Sequence, residues 1–388
     1  MLSPARYLLV ILLSLIGVHF LLTITHEQYG NAISFSHLKD KLSCPAPSET
    51  IRPESFAESE FKNTTQRKSN AAFVILARNS ELNGVLESIK MMEDRFNRNF
   101  GYPYVFLNEK PFTSEFIKHT SDIISTKAEY GVIPPEHWYQ PEWIDEERAT
   151  QGRLKLQQKG IIYGESISYR NMCRFNSGFF FRHPLMMKYD FYWRIEPGVK
   201  FFCDLDYDPF LFMQDNKKVY GFTISLYEFS ETIETLWQTV KDFMQRYPEH
   251  ISEDNTMRFL SDNGGESYNL CHFWSNFEIG DLNFWRSPAY MAFFEHLEKT
   301  GGFYYERWGD APVHSIAAAL LARRDQLHFF NDIGYKHDPF MHCPTGAAHT
   351  KGKCWCDQKE SFDYDGYSCH VKYETAMMPS TPAPDPLS

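Results

Sequence analysis

Positive charge is scarce in this chain of 388 residues: 39 Lys and Arg stand against 50 Asp and Glu, a formal net charge of −11. Binding nucleic acid needs concentrated Lys and Arg to neutralise phosphates, so that class of partner is excluded. No internal repeat is present, and the roughly 300 residues left after an anchor and a tail suffice for one large domain or two tightly joined halves. The Cys-x-x-Cys spacing of a zinc knuckle is missing. Asn63-Thr64-Thr65 is the only Asn-x-Ser/Thr sequon, a mild sign of N-glycosylation in the secretory lumen. Long apolar runs are almost absent as well. The exception, YLLVILLSLIGVHFLLTI at residues 7–24, carries no formal charge and is just long enough to span a bilayer. No Ala-x-Ala cleavage signal follows it, which favours a retained signal-anchor over a cleaved signal peptide. Arg6 and the free amino terminus favour a cytosolic tail of residues 1–6, with the remainder in the lumen. The short span suits the thinner early secretory membranes.

The remaining composition is that of a globular protein, 43% hydrophobic and 23% charged. Aromatics reach 16%, with 33 Phe and 22 Tyr, enough to stack on sugars or to fill a large core. Residues 25–70 are polar and weakly periodic and read as a stem. Residues 71–376 read as the luminal domain, and residues 377–388, rich in Pro and Ser, as a disordered tail. Eight cysteines in an oxidising lumen imply disulfides. Cys343, Cys354, Cys356 and Cys369, with His342, His349 and His370 nearby, are read as disulfide-bonded C-terminal loops in preference to a zinc site.

Ala71–Ala77 is a continuous apolar run, as in a strand buried on both faces. Asn79 or Ser80 could cap a helix carrying Leu82, Val85, Leu86, Ile89, Met92 and Phe96 at helical spacing. Tyr102–Leu107 is the next strand, so a βαβ unit opens the domain. Ligands of such sheets bind beyond the carboxyl ends of the strands. Arg78 stands there, as a contact for a nucleotide phosphate or base or simply as a surface Arg. A strand candidate from Tyr189 ends at Glu196-Pro197-Gly198. Another covers Val219–Ser225, and a helix with Ile233, Leu236, Trp237, Val240 and Phe243 on one face follows. The class is α/β, with a nucleotide-binding first half and an acceptor-binding second half.

Several constellations could carry chemistry. Glu196, ending a buried strand, could hold a divalent cation against a diphosphate, or could simply pair with Arg194. Asp204 and Asp206 form an Asp-x-Asp that competes for that role, but Pro209 stands where a calcium loop needs Gly. Glu278 lies among aromatics in YNLCHFWSNFEIGD. It could act as a nucleophile or an electrostatic stabiliser at a sugar C1, or be a buried Glu satisfied by backbone. Asp310, before Ala311-Pro312, looks like a helix cap that could also face a ligand. His337, in a polar loop before Pro339, has the chemistry of a metal ligand.

These stretches, with YRNMCRFNSGFFFRHP, YWRIEPGVKFFCDLDYDPF, YNLCHFWSNFEIGDLNFWRS, GGFYYERWGDAPVHSIA and DIGYKHDPFMHCP, resemble the fungal Golgi α-1,2-mannosyltransferases of glycosyltransferase family 15. The resemblance covers roughly residues 71–375. It implies a GT-A-like fold with a mixed, largely parallel sheet flanked by helices. It further implies a GDP-mannose donor, α-mannoside acceptors, Mn²⁺, retention of configuration and a type II protein of the Golgi membrane. It places the metal carboxylate on Glu196 rather than Asp204 or Asp206, the metal-binding His on His337 and the proposed nucleophile on Glu278. Tyr169 would correspond to a tyrosine that contacts the reacting sugars, and Asp310 would line the same site; Arg78 and Arg194 join them as candidates for donor and acceptor binding. The rival readings are a mannosylphosphate or other sugar-nucleotide transferase, and a non-catalytic mannoside-binding membrane protein.

Overall fold

A computed structural model of the chain describes residues 67–378. The apolar run at 7–24, nearly all of the 25–70 stem with Asn63, and the tail beyond 378 lie outside the described residues. Among the described residues, no helix is long and apolar enough to cross a membrane.

The core is a seven-stranded sheet. Its strands are β1 (Ala71–Leu76), β2 (Tyr104–Asn108), β3 (Ala128–Val132), β4 (Phe191–Arg194), β6 (Tyr220–Phe222), β9 (Glu278–Asp281) and β10 (Leu327–Phe329), in the order β10-β6-β9-β4-β1-β2-β3. Every pairing is parallel except those of β9, which runs against both β4 and β6. The apolar run of β1 is explained by burial on both sides. Ala72 and Val74 enter one hydrophobic cluster, while Ala71, Phe73 and Ile75 enter another across the sheet. Helix Leu82–Met92 follows β1 and buries Val85, Ile89 and Met92.

Two small antiparallel sheets flank the large one. One joins β5 (Lys200–Phe201), β11 (Tyr335–His337) and β12 (Phe340–His342); the other pairs β7 (Ser225–Tyr227) with β8 (Cys271–Phe273). The single strand expected over Val219–Ser225 is therefore two. The chain leaves the main sheet at Thr223-Ile224 and re-pairs elsewhere, a change of sheet that a period-two pattern cannot reveal. Neither Asn79 nor Ser80 caps the first helix. A 3-10 turn, Asn79–Glu81, precedes it, and the Glu81 carboxylate accepts the Arg78 N–H at 2.7 Å. The Asn79 side chain is drawn off by the loop after β2, where it bonds the Pro111 carbonyl and the Thr113 N–H.

The C-terminal cysteines form disulfides rather than a zinc site. Cys343–Cys356 and Cys203–Cys354 close the loops beside β12, and Cys271–Cys369 ties the C-terminal segment to β8. Cys343, His349 and Cys356 stand close together, but both sulfurs are spent on each other. Cys173 is a buried free thiol.

The Cys271–Cys369 link joins residues 98 apart in sequence, so it removes a large loop entropy from the unfolded chain. Replacing both cysteines by Ser should cost about 2–5 kcal/mol in guanidinium unfolding, and a loss under ~1 kcal/mol would contradict this account.

Candidate active site

The reversed strand β9 builds the centre of the site. Parallel strands end at one edge of the sheet, and an antiparallel neighbour begins there. The last residue of β4, Arg194, is thus in register with the first of β9, Glu278. Two residues past β4, the Glu196-Pro197-Gly198 turn docks on the first helix. Gly198 N–H bonds the Gly84 carbonyl at 3.0 Å, and the Ser88 hydroxyl bonds the Glu196 carbonyl at 2.9 Å. Gly198 stands at φ 84, which the turn requires and a side chain would oppose. Helix Asp310–Leu321 delivers Asp310 from its first residue, and pairing of β11 with β5 carries His337 to the same place.

Arg194 is the hub. Its Nη2 lies 2.5 Å from Glu196 Oε1, and its Nη1 lies 2.5 Å from Asp310 Oδ2 and 3.8 Å from Glu278 Oε1. Burial opposes its charge, but the three carboxylates more than offset this and hold the guanidinium firmly protonated. Burial likewise works against ionised Glu196, yet Arg194 and His337 hold its pKa down at about 2. His337 Nε2 stands 3.5 Å from Glu196 Oε2, and Glu196 raises the imidazole pKa against the effect of burial. One guanidinium facing three carboxylates leaves a surplus of negative charge on the wall of the cleft.

Glu278 is fully buried. Its Oε2 accepts from the Tyr220 hydroxyl at 3.1 Å and faces His314 Nδ1 at 3.0 Å, whereas its Oε1 has no hydrogen-bond partner. Asp310 makes no cap. Gly309 holds the cap position, and the Asp310 carboxylate turns instead to Arg194 and to the Ser275 hydroxyl at 2.9 Å.

Arg78, Tyr169, Arg194, Glu196, Glu278, Asp310 and His337 all line one cavity of about 860 Å³. Arg78 sits just past β1 and donates to Ser168 Oγ at 2.7 Å. Tyr169 lies in the first turn of helix Ile167–Gly178, which Ser166 caps. His337 is a strand residue rather than a loop residue. The Asp-x-Asp segment is elsewhere: Asp204 pairs with Arg95, Asp206 with Lys351, and Asp208 caps helix Pro209–Asp215. None of the three lines the cavity.

Sequence reasoning gave no role to Trp274, Ser275, Tyr220 or His314. Trp274 packs edge-on against the His337 ring, with centroids 5.0 Å apart. His314 could have been found, because it lies one helical turn after Asp310 and shares its face. Tyr220 carried no signal, since it reaches Glu278 only through the β6–β9 pairing.

The family model of the glycolipid 2-alpha-mannosyltransferases matches residues 25–378. Alpha-1,2 mannosyltransferase KTR1 of Saccharomyces cerevisiae is 55% identical over 319 residues, covering 82% of this chain and 81% of that protein. O-glycoside alpha-1,2-mannosyltransferase omh1 of Schizosaccharomyces pombe is 52% identical, covering 80% of each. Among solved structures, core-mannan synthase A (CmsA/Ktr4) from Aspergillus fumigatus in its Mn/GDP form is similar with a TM-score of 0.76 and 42% identity, covering 80% of this chain and 86% of that one. Mannosyltransferase Ktr4p from S. cerevisiae in complex with GDP gives 0.77 and 42%, covering 81% and 83%. The chain belongs to the glycolipid 2-alpha-mannosyltransferase family, glycosyltransferase family 15, and is a glycosyltransferase of GT-A-like fold.

Arg194→Met should destabilise the protein by about 3–5 kcal/mol at neutral pH in denaturant unfolding, because it strands buried carboxylates without their partner. The share that passes through Glu196 has a defined pH window. A depressed folded-state pKa stabilises above the unfolded value of 4.5, and that share is lost as pH falls toward about 2. The gap between wild type and variant should therefore narrow below pH 4.5; a constant gap would show that Glu196 does not contribute to it.

Proposed function

We propose that the chain transfers mannose from GDP-mannose to the 2-hydroxyl of an α-mannoside with retention of configuration, in the Golgi lumen, held to the membrane through residues 7–24. One observation carries the reading: a single cavity holds the Glu196–His337 pair at 3.5 Å and Glu278 with a partnerless oxygen. The luminal placement is supported by three disulfides among the described residues and by the Asn63 sequon.

A carboxylate oxygen and an imidazole nitrogen on an acid-rich wall are a fitting donor set for Mn²⁺. Glu196 and His337 would hold the ion, which when bound supplies positive charge against the diphosphate of departing GDP. Arg194 keeps Glu196 ionised and aimed, and through its second nitrogen it fixes Asp310. Arg78 at the end of β1 is assigned to the nucleotide, and Tyr169 and Asp310 to the reacting sugars. Tyr220 and His314 engage Oε2 of Glu278, leaving Oε1 to face the sugar carbon as positive charge develops there. Retention follows if Oε1 bonds that carbon as its bond to the GDP phosphate oxygen breaks, and the acceptor 2-hydroxyl then displaces Oε1 while giving its proton to that phosphate oxygen. It also follows if the acceptor enters on the face that GDP leaves, with Glu278 as electrostatic stabiliser.

The full-length chain in detergent, given GDP-mannose and methyl α-mannoside, should form an α-1,2 product with Mn²⁺ and none with chelator, as read by NMR. Glu278→Gln should lower kcat by at least about 10²-fold. Loss of that size with no trapped mannosyl-enzyme favours the stabilising role, and a trapped adduct the covalent one. Product formation independent of metal would sink the reading.

Mn²⁺ affinity should fall as pH drops. A protonated imidazole cannot ligate, and Glu196 keeps His337 protonated to higher pH than the ordinary value near 6.5. Titration of Mn²⁺ binding from pH 8 to pH 5.5 checks this, and a flat profile would remove His337 from the ligand set. His337→Ala should weaken binding at least about tenfold at pH 8.

A further inference from the structure

A chain of contacts runs along part of the cavity wall. His337 meets Glu196, Glu196 meets Arg194, and Arg194 meets Asp310. The wall continues past Asp310. A Cβ built on the neighbouring Gly309 would stand 3.6 Å from the Glu228 carboxylate. Glu228 faces Arg307 at 3.5 Å, and the Arg307 guanidinium lies 5.1 Å from the centre of the Tyr169 ring. Tyr169 in turn stacks on Tyr163, with centroids 4.6 Å and planes 13° apart.

Two features set this outer stretch apart. The first is its rings. Tyr163 lines the cavity and is 54% exposed although it is stacked on Tyr169, and Phe229 lines it at 43%. The Tyr163 backbone stands at φ 57, in the left-handed region where glycine is strained least, even though the chain supplies glycine close by at Gly160 and Gly164. An aromatic ring held at a strained position in a cavity mouth points to a ligand that covers it. The second feature is polar. Arg307 Nε and His272 Nδ1 are buried without a hydrogen-bond partner, and both residues line the cavity. Burial keeps the His272 imidazole pKa below its usual range, so the ring is neutral and able to donate or accept.

We propose that this outer stretch is a second sugar subsite, taking the next pyranose of the acceptor behind the one that reacts. The proposal rests on the mannosyltransferase reading above. Aromatic rings cover the C–H faces of a pyranose, while Glu228, His272 and Arg307 offer an acceptor and donors for its hydroxyls. Its Glu228 end stands beside Asp310, among the groups assigned to the reacting sugars, and its Tyr169 end follows Ser168, which Arg78 bonds at 2.7 Å.

The test compares methyl α-mannoside with methyl α-1,2-mannobioside as acceptors for the full-length wild type, Tyr163→Ala and Tyr163→Phe, with GDP-mannose and Mn²⁺. The wild type should have a KM roughly fivefold lower for the disaccharide, the size of one aromatic contact. Tyr163→Ala should lose that preference, and Tyr163→Phe, which keeps the ring, should retain it. Saturation-transfer NMR with GDP in place of donor gives a readout without turnover: the reducing-end ring of the mannobioside should receive saturation from wild type and lose it with Tyr163→Ala. Equal KM values for both acceptors in wild type, or an equal loss on both in Tyr163→Ala, overturns the subsite while the transferase reading stands. Transfer to neither acceptor overturns that reading and the subsite with it.

Discussion

A single buried guanidinium holds the site together. Removing Arg194 from water is unfavourable, and what makes it tolerable is three carboxylates arriving from three separate parts of the fold. Glu196 comes from the turn after β4, Glu278 from the start of β9, and Asp310 from the first residue of a helix. Each acid is correspondingly dependent on Arg194. The arrangement is therefore cooperative: the charges are acceptable only when all the elements are in place, and once in place they fix one another's orientation.

That mutual dependence also leaves negative charge to spare. Arg194 can neutralise one carboxylate, and the surplus lies along a concave wall on which His337 adds an imidazole. A wall of that kind suits a cation and the phosphates that travel with it. Deeper in, Glu278 has one oxygen tied to Tyr220 and His314 and the other untied. A buried carboxylate oxygen without a hydrogen-bond partner is unfavourable for stability, and sites where fold energy is given up in this way are those where ligands bind.

Legibility varied by element. The β1 run, the helix after it and β2 could be read directly, because a strand buried on both faces and an amphipathic helix are local patterns. The aromatic stretch around Glu278 and the Glu-Pro-Gly turn stood out as places for a carboxylate. Family motifs then singled out Glu196 over the nearby Asp204 and Asp206. The structure gives those acids local duties, an ion pair with Arg95 and another with Lys351. The cap reading weighed for Asp310 beside its ligand-binding one fails for a definite reason. Asp followed by Ala-Pro has the local chemistry of a helix start, and only the position of Arg194 draws its carboxylate away. Val219–Ser225 was misjudged as one strand because nothing local records a change of partner.

By itself, then, the sequence determined the α/β class, the disulfide chemistry of the C-terminal loops and the identities of the acids worth considering. These follow from composition, periodicity and short motifs, all properties of neighbouring residues. Only the tertiary structure decided that β9 runs backwards and brings Glu278 beside Arg194, that His337 reaches Glu196 through the β5–β11 pairing, and that Tyr220 and His314 stand behind Glu278. Those are contacts between residues far apart in the chain. Their energies come from burial and charge in the assembled core, where local pattern carries no record of them.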